Sequence, residues 1–254
     1  MVLSASAELL LPIGAIAFYL YDSLLWLFGD ELVLIRDARR WRSAAGSDWL
    51  LLRRRLYLPN PFAPQRLLWR ACWSALTRAA EPTDLKLLAA LQIALRPLCV
   101  LVFLEMLLIV IALPVCVYIG LTPLALLVLL GAIYLIALSA VTWIWWHRDA
   151  LGLTARNCRS LAFDALACPP FAINLVRKIS LLGTVCGDLL PQAREVFEPA
   201  AFEGLRATLL RRVAGQLAAA TEGSPTQAEL LRYQHQLQEQ RTLPAMRCSF
   251  PCCA

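Results

Sequence analysis

The Lys and Arg residues of this chain avoid two long stretches completely. None lies in 1–35 and none in 97–146, while twelve fall in 36–96 and twelve in 147–254. The avoided stretches are also the most apolar. Three segments within them approach the roughly 20 helical residues that a bilayer's hydrocarbon core requires. They are Leu9–Phe28, Leu98–Ile119 and Leu124–Trp146. The last two are joined only by Gly120, Leu121, Thr122 and Pro123. A Gly/Pro turn that short predicts a helical hairpin.

Basic residues beside spans stay on the cytoplasmic side. The N-terminus is therefore expected outside, the middle loop inside, the hairpin tip outside and the C-terminal region inside. The expected fold is a mainly α integral membrane protein with three transmembrane helices (N-out, C-in). Residues 1–28 form an N-terminal signal-anchor helix, 29–97 a cytoplasmic loop and 98–146 the hairpin. Residues 147–254 form a cytoplasmic helical region with an interfacial segment over 165–190. The first span lacks the basic start of a cleavable signal, since residues 1–8 read MVLSASAE. A second frame for it is Val2–Tyr21.

Composition agrees. Of 254 residues, 59% are hydrophobic, yet the net charge is +6. Ordinary soluble domains hold about 45–50% apolar residues. Disorder, a collagen-like chain and a disulfide-stapled mini-protein are excluded. Of the 24 basic residues only Lys86 and Lys178 are Lys, and Ala and Leu abound. That bias suggests a GC-rich bacterial genome, and so an inner (plasma) membrane.

None of the nine cysteines falls in an external segment on this topology, so disulfides are not expected. No Cys-x-x-Cys pair exists and only two His occur, so no zinc template fits. The ending Cys248-Ser-Phe-Pro-Cys252-Cys253-Ala254 is not a prenylation box, because Pro251 stands fourth from the end. No cofactor is expected.

In the loop, Glu31–Arg36 and Trp49–Leu58 read as strands of a small β-hairpin. Pro59–Pro64 then stops regular structure. Gln65–Arg78, with Leu68, Cys72 and Leu76 on one stripe, and Thr83–Leu95 read as amphipathic helices. Pro114 predicts a kink in the second span. Beyond the third span, Leu175, Ile179, Leu182, Cys186 and Leu189 repeat at helical spacing, with Asn174, Arg177, Lys178, Thr184 and Asp188 opposite. The Arg-Lys pair disfavours a fourth span and favours a re-entrant or interfacial helix. Pro199–Ala220 reads as an amphipathic helix. Thr226–Arg241 reads as a polar helix with a stripe of Leu230, Tyr233 and Leu237, either docking a partner or solvated.

Two acids fall inside spans, Asp22 and Glu105. At 1.5 Å per residue both sit roughly 9–12 Å below the cytoplasmic surface. An intramembrane ionisable group costs a few kcal/mol in lipid and so is a candidate site. Two carboxyls at one depth can share a proton or hold a cation, with Tyr19, Tyr21 and Ser23 as further polar contacts. Structural or subunit pairing is the competing reading. Trp143, Trp145 and Trp146 are expected as membrane-interface anchors. Arg53, Arg54 and Arg55 are expected against anionic headgroups, in preference to nucleic acid. His147 beside Asp149 resembles an acid–base pair, with interface anchoring the simpler role.

No phosphate-binding loop, nucleophile elbow or metal-spaced cluster occurs. The expected role is a non-catalytic subunit that anchors or organises a membrane complex. Its partners are the lipid bilayer and a membrane protein or further copies of itself. The alternatives are a small oligomeric ion- or proton-translocating protein using Asp22 and Glu105, a membrane-bound enzyme, or an immunity-type protein.

Overall fold

A computed structural model describes residues 2–37, 40–47, 50–51, 54–73, 85–120, 122–185, 189–221 and 224–239. The chain opens with helix α1 (Val2–Ser23), followed by strands β1 (Leu25–Leu27), β2 (Glu31–Asp37), β3 (Arg40–Ala44), β4 (Leu50–Leu51), β5 (Arg54–Tyr57) and β6 (Leu68–Cys72). Helices α2 (Leu85–Ala94), α3 (Arg96–Met106), α4 (Leu113–Ile119) and α5 (Pro123–Trp146) follow. The remainder is α6 (Ala155–Ala167), α7 (Leu175–Leu182), β7 (Thr184–Val185), α8 (Leu189–Val196), α9 (Pro199–Ala219) and α10 (Pro225–Glu239).

Among the described residues, two helices are long and apolar enough to cross a membrane, Arg96–Ile119 and Pro123–Trp146. Only 22% and 17% of their most apolar windows are buried by the rest of the chain. The core helix of a soluble protein would be mostly covered. Their buried residues form matching stripes: Leu98, Val102, Glu105 and Ile109 on the first helix, Ile133, Ala137, Ala140 and Ile144 on the second. Each repeats at i, i+4, i+7 and i+11, one helical face. The alanines let the two backbones approach closely. Gly120, at φ 68°, closes α4 in the left-handed conformation. The Thr122 hydroxyl accepts the Ala125 N–H to start α5, with Pro123 in the first turn.

The kink expected at Pro114 takes the form of a π-helical turn over Leu107–Ala112. A proline ring clashes with the carbonyl four residues back and offers no N–H. Widening the preceding turn relieves the clash.

The third expected span is not established as one. Helix α1 ends at Ser23, and Leu25–Leu27 leaves it to pair with β5. The helix has 22 residues, and its apolar stretch among the described side chains is Leu10–Ser23. It packs on the π-helical turn and on α4, so the apolar helices form a bundle.

The loop and the C-terminal region build a mixed domain from two small sheets, ordered β1-β5-β4 and β3-β2-β6-β7. All pairings are antiparallel except β6–β7, in which Arg70 stands opposite Thr184. Both expected strand regions exist, but they are not each other's partners. Strand β2 pairs with β3 and β6, and β5 pairs with β1 and β4. The run Leu32–Ile35 is apolar on both faces because both are covered. Leu32 and Leu34 face Tyr19, Trp41 and Trp69, while Val33 and Ile35 face Leu25, Leu27 and Leu68.

The helix expected over Gln65–Arg78 is a central strand instead. Leu68–Cys72 lies between β2 and β7, with Trp69 fully buried against Trp41 at 5.2 Å. Ladder bonds on both edges and burial of the indole override helical spacing. Residues 74–78 of that expectation, and Thr83 and Asp84 at the start of the next expected helix, lie outside the described residues. Helix α2 forms within the expected Thr83–Leu95, with Leu88 buried in it and Leu95 buried just past its end.

Candidate functional site

A polar knot forms where α1, the Pro59–Pro64 loop, α6 and α7 meet. Sequence periodicity had set Asn174, Arg177 and Lys178 on the outer side of an interfacial helix. Asn174 and Arg177 are instead buried, and α7 ends at Leu182. Lys178 is only partly exposed. Cys186 and Asp188 lie outside the described residues.

The Lys178 ammonium stands between two carboxylates, 2.9 Å from Asp22 Oδ1 and 3.1 Å from Asp164 Oδ2. Asn174 Nδ2 donates to Asp22 Oδ2 at 3.0 Å and to the Tyr19 carbonyl at 3.3 Å. The Ser23 hydroxyl approaches that same carbonyl at 2.8 Å and Asn174 Oδ1 at 3.1 Å. The Tyr19 hydroxyl donates to the Pro61 carbonyl.

Arg177 is 3% exposed and has a fan of neutral acceptors. It donates to the carbonyls of Asn60 (2.6 Å) and Ala63 (3.0 Å), to Asn174 Oδ1 (3.1 Å) and to Ser23 Oγ (3.3 Å). Burial pulls its pKa below the ordinary arginine value, an effect the nearby Tyr19 partly offsets. One guanidinium thereby ties the end of α1 to the proline-rich loop and to α7. The Ser180 hydroxyl continues the network, donating to the Arg177 carbonyl and accepting the Leu68 N–H at 3.1 Å. Lys178 and Arg70 also line a cleft of about 470 Å³ between α6 and α7, with Leu161, Leu181 and Leu182. Both cations already face carboxylates, Arg70 meeting Glu31 at 3.6 Å.

Glu105 has a different environment. It is 1% exposed, on the stripe of α3 that packs inward, two residues before the π-helical turn. Neither carboxyl oxygen has a hydrogen-bond partner among the described residues. Asp22 therefore has its polar partners in Lys178 and Asn174, and Glu105 stands among apolar side chains.

At the end of α5, Trp145 and Trp146 are exposed and Trp143 is partly covered. His147 stacks on Trp143 at 4.4 Å, and its Nδ1 lies 2.9 Å from the Trp143 carbonyl. Asp149 meets Arg148 at 3.4 Å. Arg54 lies over the Phe28 ring at 4.7 Å, and Arg55 donates to the Ser47 carbonyl at 3.1 Å. Arg53 lies outside the described residues.

The stripe on α10 is already covered. Tyr233 stacks on Trp73 at 5.8 Å, and Leu237 is fully buried. Arg206 of α9 donates to the Leu237 carbonyl at 3.2 Å. Among the described residues, no cluster of His, Cys, Asp or Glu could hold a metal, and five cysteines are free.

The knot was partly visible in the sequence. An apolar run with an unexplained Asp22 and another with an unexplained Arg-Lys pair are complementary. What the sequence lacked was any sign that residues about 150 apart would meet.

No protein-family model, curated protein or solved structure matches this chain. The geometry alone defines the class: a mostly helical protein with two helices fit to cross a membrane, joined to a small sheet-containing domain.

Proposed function

We propose that the chain is a three-span integral membrane protein, N-terminus outside and polar mass in the cytoplasm. We infer a role as a non-catalytic subunit that anchors or organises a larger assembly in a bacterial inner membrane. The observation that carries the membrane placement is the bare apolar surface of α3–α5. Val100, Ile111, Leu124, Leu127 and Leu135 are each more than half exposed there. So large an apolar surface on a soluble monomer would be an aggregation site. A bilayer satisfies it.

The orientation draws support from one turn. The 3₁₀ segment Pro169–Asn174 touches α1, α3 and α5 together. The exit of α1, at Asp22 and Ser23, thus meets Asn174 and the path through α7 to the domain that carries the basic residues. Detergent extraction followed by affinity purification and mass spectrometry tests the subunit role. Stoichiometric co-purification with another membrane protein, or with further copies, is the expected result. A lone monomer of full stability would overturn it.

The orphaned Glu105 carboxyl favours a second reading, proton or ion translocation. Under it, Glu105→Gln and Asp22→Asn abolish flux in proteoliposomes while assembly survives. Under the first reading no flux is present to lose.

A further inference from the structure

An apolar cleft of about 580 Å³ opens between α1 and α5. Gly14 and Phe18 line one wall, Leu126 and Leu130 the other, and Pro169–Pro170 lie at one end. Among the described residues lining it, only Tyr134 and Cys168 carry a polar side-chain atom. A Cβ added at Gly14 would meet nothing within 4 Å, so the cleft is open at that point.

Its length is informative. On α5 the lining runs from Pro123 to Tyr134, twelve residues that span about 16 Å of helix. One leaflet of a hydrocarbon core about 30 Å thick measures about 15 Å. Tyr134 is also twelve residues from Trp146, the midpoint of the helix.

The end at Pro169–Pro170 has a structural cause. Helix α6 packs on α5, and its last residue, Ala167, lines the cleft beside Ile133 and Tyr134. Its thirteen residues rise about 20 Å, the distance from Trp146 back to Ile133. The prolines then end the helix, and α7 returns to β6. The α6–α7 hairpin thus re-enters the bundle to mid-height and floors the cleft. A spanning partner helix needs a groove about 20 residues long. This one stops at half that height.

We propose that the cleft binds one acyl chain of a membrane lipid from the leaflet on the side of the α4–α5 turn. The proposal rests on the three-span reading. Its physical basis is packing: an unfilled recess of this size forfeits dispersion contacts along its whole lining.

The test is native mass spectrometry of the full chain, purified in a detergent without phospholipid. Retention of one phospholipid per chain is expected. Gly14→Trp and Leu130→Trp fill the recess and should each lower retention at least fivefold. Leu135→Trp, exposed to the bilayer but off the cleft, should leave retention unchanged. Thermal unfolding of each variant shows whether it has folded. Absence of lipid, equal retention in all variants, or a dimer dissolved by Gly14→Trp would overturn the proposal. A protein that stays soluble without detergent fails the spanning reading as well; one that needs detergent yet holds no lipid fails only the cleft.

Discussion

Arg177 and Glu105 are both buried charged-type residues with opposite energetics. Arg177 directs its donors to acceptors from three parts of the chain. Replacing it with Leu would remove four bonds from one guanidinium, leaving the Asn60 and Ala63 carbonyls only the turn N–H groups of Ala63 and Arg66 and leaving Asn174 Oδ1 only the Ser23 hydroxyl. The loss of several bonds from one charged donor suggests about 3 kcal/mol. In a chain this long that is a fall of roughly 10 °C in Tm, read by thermal unfolding in detergent. Arg177→Lys should rescue little, because an ammonium lacks the planar fork that reaches separated acceptors. For Glu105 the expected sign is reversed. Its oxygens have no partner among the described residues, so Glu105→Met removes an unsatisfied polar group at similar length. Stability should rise by about 1–2 kcal/mol, whereas Glu105→Gln, still polar, should not gain. A clear loss in the Met variant would mean that the carboxyl has a partner. Neither environment was legible from the residues alone. Counting from Phe28 sets Asp22 level with Glu105, but α1 ends at Ser23, which puts Asp22 in its last turn. Azimuth and partner do not follow from counting either, because they depend on how α7 returns to α1.

At the scale of elements, long apolar periodicity was the dependable signal. The α4–α5 turn and both long helices lie where the sequence put them, within two residues at each end. The Gly120 and Pro123 punctuation explains that accuracy, since each has a single structural use there. Short segments were ambiguous. Leu68, Cys72 and Leu76 satisfy a helical spacing, while Leu68–Cys72 equally satisfies the alternation of a strand covered on both faces. Only the ladder with β2 and β7 decides, and those partners lie 30 or more residues away. Pairing is likewise long-range, so β2 and β5 were identified but matched to the wrong neighbours. Close packing of α3 on α5 leads to a contrast at element scale. Ala137→Leu or Ala140→Leu overfills the contact and should cost about 1–3 kcal/mol. Leu135→Ala, on the bare face, should change stability by less than about 0.5 kcal/mol. Equal effects at the two kinds of position would argue that the bare face is covered by something inside the protein.

At the scale of the molecule, the partition of basic residues and the path of the chain describe one arrangement. The 3₁₀ turn at Pro169–Asn174 braces α1, α3 and α5 part-way along the bundle, and α1 leads directly into β1 at the end where the sheets sit. The opposite end carries the α4–α5 turn, where Tyr118 is 87% exposed. On the proposed topology these ends lie on opposite faces of a membrane. Substituted-cysteine labelling tests that most directly, with the native cysteines replaced and a membrane-impermeant maleimide applied to spheroplasts. Tyr118→Cys should react from outside in intact spheroplasts, and Arg232→Cys, exposed on α10, only after permeabilisation. Labelling of both positions from the same side would contradict the account.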